Sequence, residues 1–108
     1  MHNEYIILTE EDGYLELKFK KQDFGKGFSD FMKKFPGYAT TAVKIGAEAL
    51  GQYKAAQRVT ARFFARTSVE KQLYSDLADT LVKTGKYKQV TKKVMSDGGL
   101  YYEMVKIK

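Results

Sequence analysis

The stretch YATTAVKIGAEALGQYKAAQRVTARFFAR, from Tyr38 to Arg66, decides how the rest of the chain is read. Turned at about 100° per residue, it places Ala42, Ile45, Gly46, Ala49, Tyr53, Ala56, Thr60, Phe63 and Phe64 on one side. Lys44, Lys54, Arg58 and Arg62 fall on the other, with Glu48 and Arg66 at its margin. This spacing predicts a long central helix. Gly51 lies on its polar side and is a point where it can divide into 38–50 and 52–66. Lys54, Arg58, Arg62 and Arg66 recur at i, i+4, a row that drifts about 40° per step and so forms a ridge along the helix.

On the N-terminal side, Phe24, Phe28, Phe31, Met32 and Phe35 share a helical face, with Asp23 as cap and Pro36-Gly37 as the stop. The small residues Ala42, Gly46, Ala49 and Ala56 let another element approach closely, and this aromatic seam is expected to pack against them. Further upstream, residues 4–9 and 14–20 read as a β-hairpin. Leu15, Leu17 and Phe19 alternate with Glu16, Lys18 and Lys20 on one buried and one wet face, and Gly13 closes the turn.

On the C-terminal side, Thr67-Ser68-Val69-Glu70 is a capping box. The helix it opens carries Val69, Leu73, Leu77 and Leu81 inward, ends near Thr84, and has Gly85 at the position past its end. Residues 86–95 fit a strand or a short helix. Ser96-Asp97-Gly98-Gly99 followed by the strand-forming 100–107 favours the strand. The expected fold is α+β: a single domain over 1–108, with an N-terminal hairpin, three helices and a C-terminal hairpin, in the order ββαααββ.

The chain has 108 residues, of which 44% are hydrophobic and 14% aromatic, enough to bury a core. With no Cys there is no disulfide framework, and the N-terminus has neither the basic region nor the apolar run of a signal peptide. A cytoplasmic protein without a membrane association is expected. The single His, His2, leaves no catalytic triad and no zinc set. Gly25-Lys26-Gly27 lacks the ending of a phosphate-binding loop. No cofactor is expected.

Asp12, Glu16 and Lys18 place a carboxylate ahead of a Glu-x-Lys pair. This pattern resembles the PD-(D/E)XK nucleases. The resemblance implies a Mg²⁺ held by Asp12 and Glu16, with Lys18 steadying the attacking water. It spans seven residues. The remaining sequence favours a non-enzymatic reading.

Charge carries the functional expectation. The formal net charge is +6; residues 1–53 hold seven basic and eight acidic side chains, residues 54–108 twelve and five. Between 54 and 66 there is no acid, and none between Asp79 and Asp97, where Lys83, Lys86, Lys88, Lys92 and Lys93 gather around Tyr87. Like charges at i, i+4 cost a few tenths of a kcal/mol per pair. Basic segments without compensating acids therefore point to a polyanion. The expected function is nucleic-acid binding, DNA or RNA, with Lys54, Arg58, Arg62 and Arg66 as a helical ridge and the Lys-rich hairpin as a second contact. The competing expectation is a protein-interaction or assembly module, a homo-oligomer or a partner of an acidic protein, suggested by the small-residue stripe and the aromatics.

Overall fold

The computed structural model describes residues 5–20, 24–53 and 60–107, and the side chains of all of these except 24–30. The elements run β1 (Ile6–Glu11), β2 (Tyr14–Phe19), α1 (Phe24–Gln52), β3 (Thr60–Ala65), α2 (Ser68–Lys83), β4 (Tyr87–Val94) and β5 (Leu100–Lys106). Among the described residues the order is ββαβαββ with two helices, which corrects the expected ββαααββ. The five strands form one sheet in the order β1-β2-β3-β5-β4. β2 and β3 are parallel; every other pair is antiparallel.

The first hairpin follows from its turn. Glu11 pairs with Tyr14, so Asp12 and Gly13 alone make the connection, at φ 52° and 80°. Two successive positive φ values are those of a type I′ turn, whose twist matches the strands it joins. Leu15, Leu17 and Phe19 then point to the buried face beside Ile6 and Leu8, as the alternation predicts.

The aromatic segment and the first half of the expected central helix are one element. α1 runs through Pro36 and Gly37, and Gly51 does not break it. A proline in a helix interior removes one backbone hydrogen bond and crowds the preceding turn. Contacts on both sides hold the helix together across it. Phe31 lies against Phe35 and Tyr38, with ring centroids 5.8 and 5.4 Å apart. Tyr38 in turn packs on Tyr5 and donates to the Lys20 carbonyl at 2.9 Å. The aromatic seam therefore does not fold back on the small-residue stripe. At Gly46 the stripe instead receives β2 and α2, where a Cβ would sit 3.4 Å from both Leu17 Cδ1 and Leu77 Cδ1; Ala56 lies outside the described residues.

The expected helix is also corrected over 60–65, while 54–59 lie outside the described residues. Thr60–Ala65 is a strand in which Ala61, Phe63 and Ala65 are fully buried while Thr60, Arg62 and Phe64 face the other way. TARFFA satisfies a period of two as well as the helical period. The decision lies in its neighbours, β2 on one side and β5 on the other, which pair its backbone groups.

α2 forms as expected. Thr67 Oγ1 accepts from the Glu70 amide at 3.1 Å, and Glu70 Oε1 accepts from the Thr67 amide at 3.1 Å. Leu73, Tyr74, Leu77, Ala78 and Leu81 are buried, and Gly85 takes φ 74° just past the Thr84 cap. The strand reading of β4 also holds. In the β4–β5 turn, a Cβ at Gly99 would lie 2.9 Å from the Ala65 carbonyl oxygen, so only glycine fits where the turn crosses the end of β3.

Buried side chains from alternate strand positions meet α1 and α2 on one face of the sheet. The α1 C-terminus, which has no basic residue in its last turn, is capped from the sheet. The Tyr87 hydroxyl donates to the Leu50 carbonyl at 2.9 Å. Lys106 Nζ reaches the carbonyls of Gly51 at 3.4 Å and Tyr53 at 2.5 Å. No helix among the described residues is long and apolar enough to cross a membrane.

Candidate nucleic-acid interface

With both helices on one side, no described element covers the other face of the sheet, and strand register arranges it in rows. One row runs Glu11, Tyr14, Thr60, Val105, Lys88. The next runs Thr9, Glu16, Arg62, Glu103, Thr91. In the third, Ile7 and Lys18 stand on one side, and Phe64, Tyr101 and Lys93 on the other.

Arg62 holds the centre. Its guanidinium lies 3.7 Å from Glu16 Oε2 and over the rings of Tyr14 and Phe64, at 4.8 and 5.8 Å. Its side chain is only 23% exposed, and that of Glu16 13%. The buried Nε has no hydrogen-bond partner among the described residues. Glu16 is shared with Lys18, 3.4 Å away. Glu103 accepts from the Tyr101 hydroxyl at 2.8 Å; burial, and then this hydrogen bond, push that hydroxyl up to about 12.

Beside this charged row lies an aromatic pair. Phe64 and Tyr101 are half-buried, with ring centroids 5.0 Å apart. Lys93 Nζ sits 5.2 Å from the Tyr101 ring and Arg66 lies 5.9 Å from that of Phe64. A cleft of about 650 Å³ adjoins them. It opens because β2 and β3 pair only over Tyr14–Glu16 and Thr60–Arg62 and then part. Tyr74 of α2 reaches into the gap, where its hydroxyl accepts from the Phe19 amide at 3.2 Å. Lys18, Lys20, Arg66, Glu16 and Glu70 line the cleft.

The expected site residues separate. Lys54 and Arg58 lie outside the described residues. Arg62 and Arg66 are not on a helix, so the helical ridge is withdrawn: Arg62 is in β3 and Arg66 just past it. Nor are these two uncompensated, for Arg62 meets Glu16 and Arg66 Nε lies 3.7 Å from Asp97 Oδ2. Tyr87 is a core residue, its hydroxyl raised to about 12 by burial and then by Tyr53. Lys83 and Lys86 lie away from the open face, at the end of α2 and in the turn before β4. Lys92 points to the helix side, 5.6 Å from the Tyr102 ring. Lys88 and Lys93 do reach the open face. No ion pair involves Lys83, Lys86, Lys88, Lys92 or Lys93 among the described residues. Four of the site residues, Arg62, Arg66, Lys88 and Lys93, thus share a surface. Phe64, Tyr14 and Lys18 complete it and were not expected there; the alternation of TARFFA is the signal that places Arg62 and Phe64 together.

The lysines of β4 have a structural role as well. β4 is an edge strand with an irregularity between Gln89 and Thr91, and lysines and bulges both discourage like edges from pairing.

The residues of the nuclease-like pattern do not fit a metal. Glu16 faces two cations, while Asp12 is in the turn, off the strand face. Among the described residues no three acids or histidines gather closely enough to hold an ion.

Fold and surface together define, among the described residues, a class of protein: one sheet backed by two helices, with an aromatic and charged face that no described element covers. No family model, curated protein or solved structure matches the chain.

Proposed function

We propose that the protein binds single-stranded nucleic acid on its open sheet face, without catalysis. The observation that carries this is the Phe64–Tyr101 pair, half-exposed and flanked in its row by Lys18 and Lys93. Aromatic rings on a sheet stack unpaired bases, and neighbouring cations meet the phosphates. Lys18, Lys93 and Arg66 are the phosphate contacts in this reading, and Lys20 in the cleft extends their track. Arg62 serves a different purpose. Neutralised by Glu16, it stiffens the platform beneath Tyr14 and Phe64. A duplex is disfavoured because its bases are stacked away from such rings, and because α2 carries Asp76 and Asp79 rather than a basic face.

Titration of a fluorescent oligonucleotide tests the reading. Stacking contributes about 1–3 kcal/mol per base. Phe64→Ala and Tyr101→Ala should therefore each weaken binding roughly 5- to 150-fold, while Lys93→Gln should reduce the salt slope. With about three phosphates engaged, log K should fall against log salt with a slope of about −2 on a single strand. Binding that is absent, or indifferent to Phe64 and Tyr101, overturns the reading.

A further inference from the structure

The cleft beside Phe64 lies where the sheet divides. β2 and β3 are joined through α1 and run parallel, and beyond Glu16 and Arg62 they part. In open sheets with parallel strands, ligands sit outside the carboxyl ends of the strands, where neighbours diverge. Phe19 and Tyr74, both buried, floor the cleft of about 650 Å³, and the Tyr74 hydroxyl ties α2 across the gap by accepting from the Phe19 amide. Among the described residues it is therefore a recess and not a passage. We propose that this cleft holds the phosphomonoester at the end of a bound strand, so that the protein prefers single strands with a phosphorylated terminus. The inference rests on the sheet-face reading and adds to it the recognition of an end.

Charge in the cleft is set by which acids are already occupied. Of the two carboxylates that line it, Glu16 lies between Lys18 at 3.4 Å and Arg62 at 3.7 Å. Glu70 Oε1 accepts from the Arg66 and Thr67 amides at 3.4 and 3.1 Å. Lys20 has no ion pair among the described residues. Arg66 meets Asp97 at 3.7 Å, but both side chains are more than half exposed, and an exposed pair of this kind contributes only about 0–1 kcal/mol. It yields readily to a phosphate. Lys18, Lys20 and Arg66 thus outnumber the lining carboxylates, and Arg62 behind Glu16 adds a fourth cation.

This excess suits a dianion. A phosphomonoester carries about −1.5 to −2 at pH 7. A diester within a chain carries a single charge, and its chain has to leave the recess again. Phe64 borders both the cleft and the Tyr101 ring. A terminal base stacked on that platform therefore sets its own phosphate among Lys18, Lys20 and Arg66.

Competition against a fluorescent single strand tests the proposal. The competitors are three oligonucleotides of one sequence, with a 5′-phosphate, with a 3′-phosphate, and with hydroxyls at both ends. At least one phosphorylated form should bind about five- to twentyfold more tightly than the hydroxyl-ended form at low salt, and the preference should shrink as salt rises. Lys20→Gln should bring that preference close to one, and Lys20→Arg should keep it. Lys20 supports the fold through its backbone, whose amide donates to the Tyr5 carbonyl at 2.8 Å and whose carbonyl accepts from Tyr38, so both variants keep these bonds. Tyr101→Ala should weaken all three forms alike and leave the preference in place. Equal binding of the three forms, a preference that survives Lys20→Gln, or a nucleoside monophosphate that competes as well as the phosphorylated strand would each overturn the proposal while the sheet-face reading stands. Failure of all three oligonucleotides to bind would overturn both.

Discussion

Arg62 shows how far one side chain's meaning depends on where its backbone lies. On a helix it would be one of a row of solvated cations. In β3 it is mostly buried, between Glu16 and two rings, and its Nε lacks a hydrogen-bond partner among the described residues. A cation in that position needs its carboxylate. Glu16→Ala should cost about 1–3 kcal/mol in urea unfolding, because the guanidinium is left without a countercharge. Glu16→Leu combined with Arg62→Met should recover most of that loss, since it removes both charges and keeps apolar volume. A double variant no more stable than Glu16→Ala would show that the pair itself is not what Glu16 supports. The tyrosines give a second test at this scale. Tyr101 and Tyr87 are raised from 10.0 to about 12, each first by burial, and Tyr74 is raised further by burial. A raised folded-state value means the folded chain holds these protons more tightly than the unfolded one. Their contribution is complete below about pH 10 and falls as pH rises toward 12. The urea midpoint should drop across that window, in step with tyrosinate absorbance; a flat midpoint would contradict the burial of these hydroxyls.

Among the elements, α1 is where local rules and packing oppose one another. Pro36 ends most helices, yet this one continues to Gln52 because Phe31, Phe35 and Tyr38 make one aromatic cluster across the proline. The missing amide remains a cost. Pro36→Ala should therefore stabilise the fold by about 1–3 kcal/mol in urea unfolding. A loss of stability instead would mean that Pro36 is needed to seat Tyr38 against Tyr5. β3 is the opposite case. Its sequence accepts either period, and the two neighbouring strands decide. α2 and the first hairpin involve no such contest: cap, turn and alternation agree, although β1 runs to Glu11, two residues past the expected 4–9, and leaves only Asp12 and Gly13 in the turn.

For the whole molecule, the consequence of inserting β3 is that no described element covers one face of the sheet. A ββαααββ chain would spread its basic residues over a helix and a hairpin. The ββαβαββ chain gathers Arg62, Arg66, Lys88 and Lys93 with Phe64 and Tyr101 on a single surface and sends Tyr87 and Lys92 to the other side. That redistribution underlies the oligonucleotide test.

Local signals were legible where a few adjacent residues carry the whole decision. Asp12-Gly13 specifies its turn, Thr67 and Glu70 their reciprocal cap, Gly85 the end of α2, and the alternation of 14–19 its buried face. Each involves atoms within a few residues of one another, so composition and spacing suffice. The extent of α1 and the identity of β3 were not legible in this way. Both depend on partners far along the chain, Tyr5 and Lys20 for the helix and Leu15 and Met104 for the strand. A helix satisfies its backbone within itself, whereas a strand takes its hydrogen bonds from neighbours that only folding supplies. For that reason the tertiary structure alone settled which cations share a face.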